Sequence, residues 1–472
     1  MSHRGFYTSI DRRGNSILYR GYDEECKRVY ETYKYRPTMY MESKTDDADW
    51  RSLEGVPLEP IKFNSMSECR EFVKQYDEVD GVNIYGNDRH IPAFIQSKYP
   101  NEIEYSSNLI DVCNIDIEVD YDDTGFPEPA YANQSVLTIA LKSSRRDHYI
   151  LWGMKAYDPN VGSMTHIKTE YRRFDTEREM LEDFVDWWSN PENTPDVITG
   201  WNTQNFDTPY LVNRIIRIFD EQQVRRLSPW RMVEQKESSY MGRLQVSVKI
   251  SGIQELDYLD LFKKFTLNTY GRQESYRLDN IAEVVLGENK LDYSDVGGLK
   301  ELYEQDFQRY CDYNLKDVEL IDRLEQKLGL INLVYTLAYF GGVNYTDTLG
   351  TVGIWDSIIF RHLANKKISV PQKKNHSKVA YAGGYVKEAK SGMYGWVMSF
   401  DLNSLYPALI CQYNMSPETV VRQSFVSGVG VEKILAERDV RVPDENLAVA
   451  ANGATFRRDK QGFLPNIIEE LS

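Results

Sequence analysis

The segment CNIDIEVD, residues 113–120, alternates apolar and polar side chains. A period of two is typical of a β-strand with one face packed against a core. Asp116 and Glu118 are two residues apart and therefore share a face of this strand. Two adjacent carboxylates repel each other unless a cation lies between them. An Asp-x-Glu pair is weak evidence by itself, because a solvated strand face explains it equally well.

The sequence around this strand predicts an α/β domain. Alternation and helical periodicity predict strand, strand, strand, helix, strand and helix in that order, which indicates a mixed sheet. The segments are LIDVCNIDIEVD (109–120), SVLTIALKS (135–143), HYILWGM (148–154), TEREMLEDFVDWWSN (176–190, with Thr176 as the cap), DVITG (196–200) and FDTPYLVNRIIRIF (206–219, with Pro209 in the first turn).

Other stretches have recognisable patterns as well. The sequence predicts a hairpin formed by 5–11 and 16–23, a helix at Ser67–Tyr76 capped by Ser67, a hairpin running into a further strand at 241–262, one long helix at 301–328, and helix at 331–360. The segment WVMSFDLNSLYPALI, residues 396–410, predicts a buried strand, a turn and a helix.

Composition limits the class of protein. The chain has 472 residues, of which 41% are hydrophobic and 27% charged, so it contains several globular domains and is not disordered. A net charge of −16 argues against nucleic-acid binding over the whole surface, although a local basic channel remains compatible with it. Five scattered cysteines predict free thiols in a reducing compartment, and the sequence predicts neither a signal peptide nor a transmembrane helix.

Further acids fit a shared cleft with the first two. Asp207 begins a predicted helix after a buried strand, and Tyr313 and Asp317 are one helical turn apart. Asp116, Glu118, Asp207 and Asp317 would supply the hard oxygen ligands that Mg²⁺ or Mn²⁺ prefers. Two such ions can hold an attacking hydroxide and a leaving oxygen in line on a phosphodiester, with Tyr313 orienting or deprotonating the water.

Three motifs carry a resemblance. CNIDIEVD, NTQNFDTPY (202–210) and YNLKD (313–317), in this order, resemble the exonuclease motifs of family B DNA polymerases. The resemblance implies an RNase H-like fold and a 3′→5′ proofreading exonuclease that uses two Mg²⁺ ions, with Mn²⁺ as an alternative. It implies that the catalytic residues are Asp116, Glu118, Asp207, Tyr313 and Asp317, the four acids being the metal ligands. It also implies a lysine near the scissile phosphate, for which Lys290 in LGENKLDY is the candidate.

A later segment resembles polymerase motif A of the same family. In SFDLNSLYPALI, residues 399–410, the resemblance implies that Asp401 is a catalytic metal ligand and that Tyr406 packs under the sugar of the incoming nucleotide. The turn that begins the helix would bind the triphosphate through Leu402, Asn403, Ser404 and Leu405.

YAGGYVKE, residues 381–388, resembles the Y-x-G-G/A motif of the family and implies contact with template phosphates. The DNA-binding candidates are Tyr381, Gly383, Gly384, Lys374 and Lys378, in addition to Lys290. The lysines between 366 and 387 would form the local positive groove, although a run of charge is also typical of a solvated surface.

The resemblance extends to T-even-like bacteriophage polymerases through FYTSID (6–11), LDYLDLFKKF (256–265) and FDLNSLYPALICQYNMSPET (400–419). It implies action in the host-cell cytoplasm, away from membranes. The implied partners are primer–template DNA, its single-stranded 3′ end, dNTPs, a sliding clamp bound through a missing C-terminus, and the protein's own mRNA.

The family's D-T-D motif and K-x-x-x-N-x-x-Y-G helix are missing from the 472 residues. We therefore expect synthesis to require a C-terminal part with fingers, the rest of the palm and thumb, whether the polymerase is encoded in two pieces or cut at Ser472. The expected fold class is a multidomain α/β and α+β protein. Its expected domains are an N-terminal mixed domain (1–106, with 331–372 returning to it), an RNase H-like exonuclease domain (107–330) and an incomplete palm (373–472). The alternatives are a nucleic-acid-binding scaffold and a stand-alone exonuclease.

Overall fold

The computed structural model describes residues 5–76, 79, 81–121, 127–240, 243–372, 386–421 and 446–471. The chain divides into two compact units. Unit 1 comprises residues 1–36 and 89–358, and unit 2 comprises residues 37–88 and 359–472. Both units contain helices and strands, so the chain has the mixed multidomain α/β architecture that the sequence predicts. The finer boundaries at 106, 330 and 372 stay a prediction.

The strands are numbered in chain order. They are β1 (Phe6–Arg13), β2 (Ser16–Tyr22), β3 (Arg28–Lys34), β4 (Thr38–Glu42), β5 (Trp50–Arg51), β6 (Pro57–Lys62), β7 (Val112–Val119), β8 (Val136–Ser143), β9 (Tyr149–Gly153), β10 (Thr169–Arg173), β11 (Val197–Thr199), β12 (Val233–Tyr240), β13 (Arg243–Ile250), β14 (Gln254–Glu255), β15 (Leu447–Val449) and β16 (Thr455–Arg457).

The α-helices are numbered in the same way. They are α1 (Met66–Tyr76), α2 (His90–Lys98), α3 (Glu177–Ser189), α4 (Asp207–Ile218), α5 (Glu221–Arg225), α6 (Tyr258–Phe265), α7 (Leu267–Tyr270), α8 (Leu278–Leu286), α9 (Leu299–Gln305), α10 (Phe307–Leu328), α11 (Leu330–Gly341), α12 (Thr351–Asn365), α13 (Leu405–Tyr413) and α14 (Phe463–Leu471). Short 3₁₀ helices lie at Ser107–Leu109 and Tyr345–Leu349.

The central sheet of unit 1 has the strand order β10-β9-β8-β7-β11-β14. β7, β8 and β9 are antiparallel neighbours. β10 runs parallel to β9, β11 parallel to β7, and β14 parallel to β11. This is the mixed sheet that the order of elements predicts, and β7 lies near its middle.

Different helices cover the two faces of this sheet. Helices α3 and α4 pack on one face, in a core that contains Ile115 and Ile117 of β7. Helix α10 packs on the other face, against β7 and β8. Because side chains alternate along a strand, Asp116 and Glu118 project toward α10. The apolar residues of β7 thus fix the face on which its two carboxylates lie.

The predicted helix at 301–328 is interrupted. Helix α9 ends before Asp306, and α10 begins after it. The backbone N–H of Arg309 donates to Asp306 Oδ1 at 3.1 Å, which caps the second helix. A capping aspartate therefore starts a new helix inside an apolar pattern that suggests a continuous one.

The start of α1 also differs from the prediction. The helix begins at Met66, and the backbone N–H of Glu68 donates to Ser65 Oγ at 3.2 Å. Ser65 is thus the capping residue, and the predicted cap, Ser67, lies inside the helix. Serine is a typical helix cap at either position, so the sequence does not distinguish the two serines, and in the structure the first one caps the helix.

The hairpin predicted at 241–262 begins earlier in the chain. It consists of β12 and β13, paired antiparallel from Val233 opposite Ile250 to Tyr240 opposite Arg243. Only its second strand falls within the predicted range. The short strand β14 and helix α6 follow it, so the prediction of a further strand holds for two residues.

The three N-terminal strands belong to unit 1, and the end of α11 and the segment after it pack on β1. The Tyr7 hydroxyl donates to the carbonyl of Val343 at 2.6 Å, and the Tyr339 hydroxyl donates to the carbonyl of Tyr7 at 2.7 Å. Asn344 exchanges two hydrogen bonds with the backbone of Ile10. Residues more than 300 positions apart therefore share one folded body.

A buried aspartate joins these strands to the central sheet. Asp196, immediately before β11, is fully buried. Burial alone would raise the pKa of Asp196, but Arg20 and Arg28 outweigh burial and lower it, so the carboxylate is ionised. Its oxygens accept from Thr8 Oγ1 at 3.1 Å, Tyr22 Oη at 2.8 Å, Arg28 Nη2 at 2.9 Å and the Asp111 N–H at 2.9 Å, and Arg20 Nη2 lies 3.2 Å away.

Unit 2 contains a three-stranded sheet of order β4-β6-β5 and a two-stranded ribbon of β15 and β16. One of its cores is formed by Met39, Phe63, Cys69 and Ile84. Helix α13 packs against α14. Across both units, no helix in the described stretches has the length and apolar character needed to cross a bilayer. All five cysteines lie in described stretches and are free thiols.

Candidate metal centre

Three carboxylates from β7 and α10 lie close together in unit 1. Asp116, Glu118 and Asp317 each offer an oxygen within 4.8 Å of the others. The first two come from one face of β7, and the third comes from the helix that packs on that face. Strand pleat and helix packing thus gather three acids that are up to 201 positions apart in the sequence (317 − 116).

A fourth acid adjoins this group. Asp207 is the first residue of α4 and is buried, and its Oδ1 accepts a hydrogen bond of 3.0 Å from the backbone N–H of Ile117. Ile117 lies between Asp116 and Glu118, so this bond holds the start of α4 directly against β7. Asp207 is not one of the three acids whose oxygens lie within 4.8 Å, but its charge raises the pKa values of both β7 carboxyls.

The loop before Asp207 is anchored by an acid that the sequence analysis missed. Asp257 accepts hydrogen bonds from the backbone N–H groups of Asn202 at 2.9 Å and Gln204 at 3.2 Å. It also caps α6 by accepting from the N–H of Leu259 at 3.0 Å. No sequence signal pointed to this role, because the segment that contains Asp257 was predicted to be part of a strand.

Lys290 and Tyr313 complete the group on the side of α10. Lys290 Nζ lies 2.5 Å from Asp317 Oδ2 and donates to the Tyr313 hydroxyl at 3.1 Å. Burial alone would lower the pKa of Lys290, but Asp317 outweighs burial and raises the pKa well above its usual value. The side chain therefore carries a positive charge beside the acids.

Burial raises the pKa values of all four acids, and repulsion from neighbouring acids adds to it at Asp116 and Glu118. Burial raises the pKa of Asp116 well above its ordinary value, and it raises that of Glu118 to about 8 and that of Asp207 to about 7. The charge of Asp317 adds to burial at both β7 carboxyls. Burial also raises the pKa of Asp317, and the charge of Lys290 lowers it again in part. Burial and neighbouring charges therefore disfavour the ionised form of these carboxyls, and a bound cation would favour it.

The donor set fits a divalent cation. Asp317 Oδ1 is buried and has no hydrogen-bond partner among the described residues. An unpaired buried oxygen is costly, and coordination to a cation would satisfy it. The group offers several carboxylate oxygens with neither thiol nor imidazole, which is the hard-ligand environment of Mg²⁺, Mn²⁺ or Ca²⁺ rather than of zinc.

These pKa shifts predict how stability changes with pH. In the unfolded chain the carboxyls lose their protons near pH 4, whereas in the folded chain Glu118 and Asp207 hold theirs up to about pH 8 and 7. The metal-free protein should therefore be most stable, with respect to these groups, below about pH 4 and should lose stability as the pH rises toward 8. Added MgCl₂ should offset this loss, by about 2.7 kcal/mol at a concentration of a hundred times the Kd.

Thermal unfolding in EDTA and in excess MgCl₂, across this pH range, measures both effects. We expect Mg²⁺ to raise the Tm more near pH 8 than near pH 6, because the competing protons are lost between these values. NaCl at equal ionic strength is the control for screening. An equal rise in Tm with Mg²⁺ at both pH values would contradict a cation site at these acids.

The residues proposed for motif A are placed differently from the prediction. Residues 386–402 form no strand in the described part of the chain, so the predicted buried strand before Asp401 is wrong. Asp401 is exposed, and Leu402 and Tyr406 are 70% and 73% exposed. A strand requires a hydrogen-bonded neighbour, which local sequence does not supply, and here the described residues provide none.

The helix of this motif is present. Helix α13 begins at Leu405, so a helix follows the turn at Asn403, as expected. Ser404, immediately before the helix, has a left-handed conformation with φ of 52°. The remaining DNA-binding candidates, Tyr381, Gly383, Gly384, Lys374 and Lys378, lie outside the described residues.

Comparisons with known proteins agree with this geometry. The family description "DNA polymerase family B, exonuclease domain" matches residues 82–281, and "DNA polymerase family B" matches residues 352–472. The chain therefore belongs to family B of the DNA polymerases.

Within the family, the chain is similar over nearly its whole length to two enzymes of T-even-like phages. It is 31% identical to the DNA-directed DNA polymerase of Escherichia phage RB69 and 30% identical to that of Enterobacteria phage T4, over 99% of the chain and 53% of each relative. It is also 24% identical to DNA polymerase II of Escherichia coli (strain K12) over 66% of the chain and 37% of that protein. The chain thus spans about half the length of the phage relatives.

Proposed function

We propose that this chain is the N-terminal portion of a phage replicative DNA polymerase and carries a two-metal 3′→5′ proofreading exonuclease with an RNase H-like fold. The observation that carries the proposal is the group formed by Asp116, Glu118 and Asp317, with Asp207 held against the same strand. The match of the family's exonuclease domain to residues 82–281 supports it.

The metal ligands in this proposal are the four acids. Asp116, Glu118, Asp207 and Asp317 would hold two Mg²⁺ ions, with Mn²⁺ as an alternative. When bound, the ions would supply an activated hydroxide and stabilise the oxygen that leaves the scissile phosphate. The buried, mutually repelling carboxyls favour this loading because each ion relieves a repulsion that otherwise requires a proton.

Tyr313 would orient the attacking water. Burial, followed by Asp317, raises the pKa of Tyr313, so the phenol stays protonated at neutral pH. Its oxygen accepts a hydrogen bond from Lys290, which leaves its own hydrogen free to donate. Of the two roles open to this tyrosine from its sequence position, orienting the water is therefore favoured over deprotonating it. Lys290 would place its positive charge near the scissile phosphate and so contact DNA.

The polymerase half of the proposal rests on the family match at 352–472 and on motif A. Asp401 would bind metal, and the turn at Leu402, Asn403, Ser404 and Leu405 would bind a dNTP with Tyr406 under its sugar. Template contacts are proposed for Tyr381, Gly383, Gly384, Lys374 and Lys378. We propose that synthesis requires a C-terminal part with fingers, the rest of the palm and thumb. The same proposal includes binding of a sliding clamp and of the protein's own mRNA. It also includes action in the host cytoplasm.

Metal removal tests the exonuclease directly. We expect the full chain to shorten a 5′-labelled single-stranded oligonucleotide from its 3′ end in MgCl₂, giving a ladder on a denaturing gel. EDTA should stop the reaction and excess Mg²⁺ should restore it, because the acids cannot polarise water unaided.

The same assay separates the alternatives. A gel shift with the oligonucleotide but no shortening at any Mg²⁺ or Mn²⁺ concentration would contradict the exonuclease and indicate a nucleic-acid-binding scaffold. Shortening that is never accompanied by primer extension, even when a C-terminal fragment with fingers and thumb is supplied, would indicate a stand-alone exonuclease. An oligonucleotide with a 3′ phosphorothioate linkage is the control for contaminating endonuclease.

A further inference from the structure

A fully buried amide lies beside the candidate metal centre. Asn314 follows Tyr313 on α10, and its side chain is 0% exposed. Asn314 Nδ2 donates to Asp116 Oδ2 at 2.6 Å and lies 3.4 Å from the carbonyl oxygen of Asp116. A buried amide bonded both to a proposed metal ligand and to that ligand's backbone restricts how its carboxylate can rotate.

A threonine on the neighbouring strand holds the amide in turn. Thr138 of β8 is 0% exposed and lies directly opposite Glu118 in the β7–β8 pair, so its side chain lies on the same face as the acids. Its hydroxyl donates to Asn314 Oδ1 at 2.9 Å. The three side chains form a continuous chain from β8 through α10 to β7.

The direction of this chain is fixed by chemistry. A backbone carbonyl can only accept hydrogen bonds, so the amide nitrogen of Asn314 must face Asp116 and its oxygen must face Thr138. The threonine hydroxyl must then be the donor. Neither a valine at 138 nor a leucine at 314 can reproduce the arrangement, whereas a serine at 138 can.

We infer that Asn314 and Thr138 are positioning residues that set the orientation of Asp116 for cation binding. This inference rests on the proposed exonuclease and deepens it. Hydrogen bonds to a metal ligand fix its orientation, and their removal typically costs 10–100-fold in metal affinity or activity. Asn314 and Thr138 would contact neither the substrate nor the ions and would act through Asp116 alone.

The chain contains a matched control. Asn114 is also a buried asparagine amide that joins β7 to α10, because its Nδ2 donates to the carbonyl of Val318 at 2.7 Å and to Asp322 Oδ1 at 3.0 Å. It makes no hydrogen bond to Asp116, Glu118 or Asp317 in the described structure. Asn114→Leu and Asn314→Leu therefore remove similar structural links, but only the second removes a link to a proposed metal ligand.

The test uses the full chain and measures Mn²⁺ affinity by electron paramagnetic resonance in the absence of DNA, together with Mg²⁺-dependent excision. We expect Asn314→Leu and Thr138→Val to weaken Mn²⁺ binding roughly 10–100-fold and to raise the half-saturating Mg²⁺ concentration similarly. The KM for the oligonucleotide should not change. Thr138→Ser should retain wild-type metal affinity, as should Asn114→Leu, even where its Tm falls.

Three results would overturn the inference. One is wild-type Mn²⁺ affinity in Thr138→Val, which is expected to fold because valine has the shape of threonine. The second is an equal loss of affinity in Asn114→Leu, which would show a general structural effect. The third is a wild-type chain that binds no Mn²⁺, which would also contradict the proposed metal site itself. A wild-type chain that binds Mn²⁺ but does not degrade DNA would contradict the proposed function, while the affinities of the variants would still decide the roles of Asn314 and Thr138.

Discussion

Replacing Asp116 by alanine should reduce excision of single-stranded DNA by at least about a thousandfold. Asp116 is one of the three acids whose oxygens lie within 4.8 Å of one another, and its neighbours on β7 cannot replace it as a ligand because their apolar side chains face the opposite core. Metal ions lower the activation free energy of such reactions by several kcal/mol, and a loss of about 4 kcal/mol corresponds to a thousandfold fall in rate. Single-turnover cleavage at saturating Mg²⁺ measures the loss.

The variant should remain folded, because the change removes a buried carboxyl that repels its neighbours. Because the change also leaves the buried Asn314 amide without its Asp116 acceptor, we expect the two effects on stability to offset each other and the Tm in EDTA to stay close to that of the wild type. Asp312→Ala is the matched control, since Asp312 is a buried acid on the same helix as Asp317 but binds Ser163 and Tyr157 instead of the acid group. Excision by Asp116→Ala near the wild-type rate would refute the assignment of the metal centre.

Replacing Asp196 by asparagine should cost about 3–5 kcal/mol of stability. Both carboxylate oxygens of Asp196 accept hydrogen bonds, so an asparagine must turn its NH₂ group toward a donor. The change also leaves Arg20, which is fully buried, without its counter-charge. Removing one partner of a buried ion pair is costly for this reason. Urea unfolding, followed by tryptophan fluorescence, measures the difference.

Asp111→Asn provides the comparison for this experiment. Asp111 is as buried as Asp196, but its side chain accepts from the hydroxyls of Ser143 at 2.7 Å and Ser144 at 3.4 Å and forms no ion pair with any arginine that the structure describes. Burial raises the pKa of Asp111, so replacing its carboxylate with a neutral amide removes a charge that burial disfavours. We expect a cost of about 1 kcal/mol, the value of one ordinary hydrogen bond. Equal costs for the two variants would mean that burial, and not the arginine pairing, sets the effect.

Local periodicity was sufficient for the elements that surround the acids. Alternation over CNIDIEVD predicts β7 and the shared face of Asp116 and Glu118, and the structure places both toward α10. The Thr176 cap of α3 is confirmed, with reciprocal hydrogen bonds between Thr176 and Glu179. Such features depend on a few neighbouring residues, and the sequence therefore contains all the information that they need.

Local sequence patterns do not show which residues distant in sequence come together in the folded chain. The proximity of Asp207 and Asp317 to β7 was suggested by their positions on two predicted helices, but no periodicity links residues so far apart, and the resemblance of three motifs was needed to favour it. The hydrogen bonds from Ile117 to Asp207 and from Asn314 to Asp116 had no sequence signal. The strand expected before Asp401 failed for the same reason, since strands depend on a distant partner. The catalytic and DNA-binding roles of the individual residues stay predictions.

The hydrogen bond between Tyr7 and Val343 has a consequence for the synthesis of the protein on the ribosome. The two residues are 336 positions apart, and a ribosome adds roughly 5–20 residues per second. The first strands therefore leave the ribosome tens of seconds before the segment that covers Tyr7 exists. During that interval the apolar side chains of β1, such as Phe6 and Ile10, lack the segment that buries them, so we expect faster completion of the chain to reduce its aggregation.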